Sequence, residues 1–269
     1  MKKLIDELKT IEGKSMKLKI AIILALFTLS LSAQSLQYRM ETFEKAYSGK
    51  NNQKDTIFQM QISYPIFYGD ASVEQVVNKM NSTIQTAIFG EATGGSNELY
   101  NGFLEIVQED EDSSYFTGYW TWGTNVNVVF ERESLVSLFL FHDEYLGGAH
   151  PNSYCAGLNF DIRTGESVAT TDIFISSSED ELNRLGEQIV RKEREIPEDQ
   201  TLSDYGYWFE NDKFLLNGNF IVKEDGITFT FVPYEVGPYV LGYTDVFFPF
   251  EKIKHLISPD GVLGWVIKK

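Results

Sequence analysis

Lys54–Phe67 (KDTIFQMQISYPIF) alternates with period two through Ile57, Gln59, Gln61 and Ser63, which predicts a half-buried strand. From Ala71 to Phe89 the period changes. Val73, Val76, Val77, Met80, Ile84 and Ile88 fall on one stripe of a helix, with Ser72 as its expected N-cap and Gln75 as capping-box partner. Gly94-Gly95 marks a loop. Tyr100–Val107, Ser114–Trp122, Val126–Glu131 and Leu135–Asp143 read as short strands of an antiparallel meander. Leu158–Ile162 and Glu166–Thr170 flank the turn Arg163-Thr164-Gly165 and predict a hairpin. Ser178–Glu195 predicts a second helix. Its first turn carries Glu179, Asp180 and Glu181, which complement the helix dipole, and it ends before Pro197.

Tyr205–Phe209 is aromatic and is expected to pack on that helix. Phe220–Phe231 predicts another hairpin, turning at Asp225-Gly226. Phe247–Phe250 predicts a last strand and Phe250–Ile257 a short helix. The expected fold is α+β, with mostly antiparallel strands and hairpins and two main helices packed on the sheets. No composition shift marks a boundary near Tyr145, so the two halves are expected to share one body.

The N-terminus changes this picture. Met16–Lys19 is basic, Ile20–Leu31 is an apolar run of twelve, and Ser32-Ala33 follows. That order predicts a secretory signal peptide over 16–33, cleaved after Ala33. The run falls short of the roughly twenty apolar residues a membrane span requires, so no stable anchor is expected after cleavage. Residues 1–15 fit no part of such a signal and read as a mis-annotated extension.

Residues 1–33 carry six Lys and three acidic residues, so the remainder stands at −19 against −16 for the whole chain. So acidic a body is repelled by nucleic acid and by anionic membranes. Hydrophobic residues make up 43% of the chain, too many for a disordered one. Cys155 is the only cysteine, which excludes an intramolecular disulfide, and it is expected in the core. The chain is expected to be exported, to the periplasm or the extracellular space.

Candidate chemistry concentrates in two stretches. In Gly147-Gly148-Ala149-His150-Pro151 the glycines permit positive φ and the proline fixes the exit, which predicts a structural corner with His150 bonding backbone. The catalytic alternative pairs His150 with Asp143 or Glu144. In Tyr234-Glu235-Val236-Gly237-Pro238-Tyr239 the Gly237-Pro238 pair shapes a turn, and Glu235 between tyrosines is the alternative general acid. His150 and Glu235 are a pair that the fold could bring together.

His142, His150 and His255 show no metal-ligand spacing, so no metal and no cofactor are expected. Glu109–Asp112 is expected to be a solvated charged loop. Tyr115, Phe116, Tyr119, Trp120 and Trp122 cluster in eight residues, with Trp120 and Trp122 on one strand face. That face either lies under the Ala71–Phe89 helix or forms a platform for a sugar or a protein partner.

YLGGAHPNSYCAGLNFDIRTGESVATTDIF, Tyr145–Phe174, is similar to a signature of the DUF3298 family: Gly-Gly-Ala-His-Pro, a strand, a Thr-Gly turn and Asp-x-Phe. FVPYEVGPYVLG, Phe231–Gly242, resembles that family's second signature; Gly165 is the turn glycine of the first stretch, and Gly237 and Pro238 are the turn residues of the second. Residues 34–145 occupy the place of a companion DUF4163 region, leaving 146–258 as the DUF3298-like region.

The resemblance implies an extracytoplasmic domain of the kind found in RsiV-type anti-sigma factors, which sense lysozyme, and ahead of the esterase domain in PdaC-type deacetylases. Here the module is expected to stand alone. Its leading reading is a non-enzymatic binding module of the cell envelope, taking peptidoglycan-related glycan or a basic protein such as lysozyme, with Trp120, Trp122, Tyr234 and Tyr239 as contact residues. The alternative is an envelope glycan hydrolase or deacetylase using His150, Glu235 and Asp143.

Overall fold

The computed structural model describes residues 36–50, 56–90, 93–111 and 118–268. The expected signal peptide and the stretch before it lie outside the described residues, as do Tyr115, Phe116 and Asp112. Strands β1 (Gln37–Tyr47), β2 (Phe58–Tyr68), β3 (Trp120–Arg132), β4 (Leu135–Tyr145) and β5 (Asn152–Asp161) form one sheet in that order. β2 and β3 run parallel, while β3–β4 and β4–β5 are antiparallel. The parallel pair follows from what separates it. Helices α1 (Glu74–Phe89) and α2 (Gly95–Asp110) fill the crossover, and a parallel return needs a connection of that length.

These helices cover one face of the sheet. Phe58, Met60 and Ile62 of β2 share that face and are fully buried, as are Met80 and Ile84 of α1 and Val107 of α2. Phe58 stacks on Tyr100 of α2 at 5.4 Å, and Tyr64 meets Phe89 of α1 at 5.6 Å.

Several expectations are corrected here. Tyr100–Val107 is helix, because Tyr100, Phe103, Leu104 and Val107 keep the i, i+3, i+4, i+7 spacing of one helical face. Among the described residues three helices of fifteen or sixteen residues stand where two main helices were expected. Ser72 does not cap α1. Val73 stands at that position without a side-chain cap, and Ser72 instead bonds Asp70 through both its amide and its hydroxyl. The strands expected on either side of Gly123 are one strand. Gly123 lies within it because a Cβ there would come 2.6 Å from Asp143 Oδ1. Glu109 and Asp110 end α2 and are not loop. The next residue, Glu111, accepts from Tyr47 Oη at 3.1 Å and from the Lys50 amide at 2.9 Å.

The second sheet is β6 (Phe220–Val222), β7 (Gly226–Phe231) and β8 (Thr244–Pro249), all antiparallel. Its inner face (Phe220, Val222, Ile227, Phe229, Val246, Phe248) packs with α3 (Glu179–Glu193) and the C-terminal residues into the main core. The short helix α4 (Phe250–Ile253) follows β8 directly. The hairpin tip sits one residue earlier than expected, at Glu224-Asp225. Gly226 already belongs to β7, where a Cβ would lie 2.2 Å from the Phe248 carbonyl. The return arm after Gly165 is a single bridge, Phe160 to Ser167, not a second strand. Gly165 itself has φ +74 and lies against the Val76 carbonyl of α1.

Polar contacts join the two sheets. β6 approaches β5 so closely at Gly157 that a Cβ would lie 1.7 Å from the Phe220 carbonyl. Asn219 accepts the Gly157 amide at 2.8 Å. Asn159 donates to the Phe220 carbonyl at 2.8 Å and accepts from Ser137 Oγ at 2.6 Å, and Ser137 Oγ accepts the Val222 amide at 3.0 Å. Ser137 and Asn159 are both buried, so these bonds are made where water cannot replace them. Residues 38–269 form one compact unit. β5 lies beyond the boundary expected at Tyr145 and completes the first sheet.

Candidate binding site

β4 ends at Tyr145 and its antiparallel neighbour β5 begins at Asn152, so residues 146–151 are the link between them. Gly147 (φ +90) and Gly148 (φ +102) both adopt backbone that strains any residue with a Cβ. Tyr145 Oη donates to the Gly148 carbonyl at 3.0 Å and pins the loop. His150 Nδ1 lies 2.9 Å from the Pro151 carbonyl. A carbonyl only accepts, so Nδ1 carries the proton and leaves Nε2 as acceptor in the neutral ring. Nε2 faces Tyr234 Oη at 3.4 Å.

The second signature supplies the other wall. Tyr239 stacks on the His150 ring with centroids 4.0 Å apart and planes 17° from parallel, and its hydroxyl donates to the Pro151 carbonyl at 3.2 Å. Tyr234 lies 5.6 Å from Tyr239, ring to ring. Two stretches more than eighty residues apart thus meet in one corner. Tyr234 is held at φ +70, a conformation unfavourable for a bulky residue, and its side chain is 53% exposed. Gly237 fits because a Cβ would press on Leu241 and the Gly206 carbonyl. Pro238 precedes the single helical turn Tyr239–Leu241. The Trp208 amide donates to the Val236 carbonyl at 2.8 Å, which sets segment 205–208 beside the corner. Trp208 (56%) and Val240 (90%) extend the exposed apolar surface.

The catalytic alternative does not assemble. Glu235 is committed elsewhere: Oε1 accepts from Asn217 Nδ2 at 2.8 Å and Oε2 from the Val232 amide at 2.9 Å. The fold brings its neighbours Tyr234 and Tyr239 to His150, but not the carboxylate. Asp143 lies within β4, cross-strand from Gly123 and Ser153, and makes no hydrogen bond to His150. His150 is half-buried.

Trp120 and Trp122 share a face, as their register with Phe58 and Met60 requires. Trp122 packs on Phe103 of α2 at 4.4 Å and on His142 at 4.5 Å, so its cover is α2 and not the expected α1. Trp122 Nε1 is buried with no hydrogen-bond partner among the described residues. Both rings are part-buried, and neither belongs to the Tyr234–Tyr239–His150 corner.

His142 is buried on this face, with Thr124 Oγ1 at 2.9 Å from Nδ1 and Glu144 at 3.6 Å from Nε2. Burial pushes its pKa down, against the opposing pull of Glu144 and Asp143. His255 pairs with Glu181 on the surface. Among the described residues no group of three or more His, Cys, Asp or Glu could hold a metal ion. Burial raises the Cys155 thiol to about 11, which makes it a poor nucleophile.

The sequence reading did not single out Tyr145, Asn217 or Trp208. Asn217-Gly218-Asn219, flanked by apolar runs, was the available signal for Asn217. The role of Trp208 depends on a backbone bond that no local pattern reveals.

Comparison with known proteins fits this architecture. Residues 171–251 match the family described as protein of unknown function (DUF3298), and residues 51–153 match the family described as deacetylase PdaC. The PdaC match covers most of the region expected to be DUF4163-like and runs past its expected end at 145, so Gly147–Pro151 lies in the PdaC match and ahead of the DUF3298 match, not inside the DUF3298 region as expected. A DUF3298-family crystal structure from Bacteroides fragilis superposes with a TM-score of 0.71 at 19% identity, covering 88% of this chain and 99% of that one. A second, from Pseudomonas aeruginosa, gives 0.62 at 14% identity, covering 84% and 95%. No curated protein matches the sequence. With both regions matched in order, the chain carries a PdaC-type region at 51–153 ahead of a DUF3298 region at 171–251.

Proposed function

We propose that this protein is an exported binding module of the cell envelope, and that the Tyr234–Tyr239–His150 corner is its contact surface for a basic protein of the lysozyme kind. One observation carries the reading: an exposed aromatic corner is held by left-handed backbone, free of strain at Gly147 and Gly148 but strained at Tyr234, and is continued by Trp208 and Val240. Tyr and Trp with a fixed orientation are the residues that dominate protein contacts, since they bury much area for little lost rotamer freedom.

The charge of −19 beyond residue 33 supports a basic partner by steering its approach. A glycan is less well supported, because the amide and carboxylate beside the corner, Asn217 and Glu235, are spent on each other and on backbone. The hydrolase or deacetylase reading is weaker for the same reason, as His150 lacks Glu235 as a partner. Retention on immobilised protein tests this. Lysozyme is expected to bind at low salt and to wash off as salt rises, while Trp208→Ala reduces retention. Retention of purified cell wall but not of lysozyme would overturn the choice of partner.

A further inference from the structure

We propose that a second binding site lies in the cleft between the two sheets and takes an acyl chain with an anionic head. The three-stranded sheet turns Ile221 and Thr228 away from the main core, and these residues face Val129, Phe139 and Phe141 of the five-stranded sheet across a cavity of about 490 Å³. That volume suits a small ligand. The cleft is built rather than incidental. The Asn159, Asn219 and Ser137 bonds fix the angle between its walls. A β-bulge between Val128 and Phe130 leaves Val129 without a cross-strand partner, and its side chain, 39% exposed, lines the cleft. Bulges commonly redirect a side chain next to a working site.

The polar groups select the head. Thr228, only 5% exposed, has its Oγ1 buried with no hydrogen-bond partner among the described residues, so an unused donor sits in an apolar wall. Such a group costs stability unless something bonds it. Asp245 at the same wall already accepts from Thr230 Oγ1 at 2.6 Å. Lys223 lines the cleft, is exposed, and has no ion-pair partner among the described residues. An apolar lining, one unspent hydroxyl donor and one unpaired cation together match a carboxylate on a hydrocarbon chain.

Calorimetric titration of sodium dodecanoate below its micelle concentration into the full chain tests the proposal. Saturable binding is expected, with dodecyltrimethylammonium, the same chain with a cationic head, binding at least tenfold more weakly. Thr228→Val is expected to reduce dodecanoate affinity at least tenfold while the melting temperature holds or rises. Val129→Trp, which fills the cleft, should do the same to affinity. Tyr239→Ala should leave it unchanged, which separates this site from the aromatic corner. Absence of dodecanoate binding, equal binding of the cationic amphiphile, or full affinity in Thr228→Val would each overturn it.

Discussion

Asn159→Ala probes the joint that sets both the cleft and the corner. The substitution removes two bonds at once: the donation from Asn159 Nδ2 to the Phe220 carbonyl at 2.8 Å and the acceptance from Ser137 Oγ at 2.6 Å. Ser137 and Asn159 are buried, at 0% and 4% exposure, so water does not readily take the vacated positions. Each orphaned buried group costs about 1–3 kcal/mol, which gives roughly 2–6 kcal/mol for the pair. For a body of this size that corresponds to a fall in melting temperature of about 5–15 °C.

Thermal unfolding followed by circular dichroism and urea unfolding at 25 °C supply the measurement. Ser137→Ala breaks one of the same bonds and also strips the Val222 amide of its acceptor. The double variant should therefore cost less than the sum of the two singles. A loss below about 1 kcal/mol for Asn159→Ala, or strict additivity, would show that the sheets are held by apolar packing alone and that the polar joint is incidental.

Three further outcomes follow from the same geometry. Cys155, buried and with its thiol pushed up to about 11, should react with a thiol reagent at pH 8 at least ~100-fold more slowly in the native chain than in urea; equal rates would refute its burial. His142 has its folded pKa lowered by burial, so the unfolded chain binds more protons below about pH 6.5. Its share of stability is full above that value and declines as the pH falls, and His142→Gln should flatten the acid limb of a melting-temperature profile; an unchanged limb would refute the assignment. Gly148→Ala meets no atom within 4 Å but must adopt φ +102, so it should cost about 1 kcal/mol through backbone strain alone, measured by urea unfolding; a neutral result would mean that the loop relaxes.

Much of the fold was legible because its signals are local. The stripe from Val77 to Ile88, the acidic start of α3 and the tight tip before Gly226 each carry their own period or turn residues. What escaped depended on contacts distant in sequence. Tyr100–Val107 was misread because five apolar residues in eight satisfy a strand and a helical face about equally, and only packing against Phe58 and Trp122 decides between them. The parallel register of β2 and β3 has no sequence mark at all. For the corner, the sequence marked the glycines, the proline, His150 and both tyrosines. It did not mark which neighbour reaches His150, because Tyr234 and Glu235 are adjacent and the left-handed backbone at Tyr234 determines which one turns inward.

The most direct test of the account is calorimetric titration of lysozyme into the chain and into its Tyr234→Ala and Tyr239→Ala variants, at low and at physiological salt. If the corner is the contact surface, the parent binds, affinity falls with salt, and each variant loses about 30-fold or more while keeping its fold by circular dichroism, as expected for an aromatic hot spot. Equal affinity in the parent and in both variants would contradict the account, because the partner would then be held by charge alone and the corner would be only a structural turn.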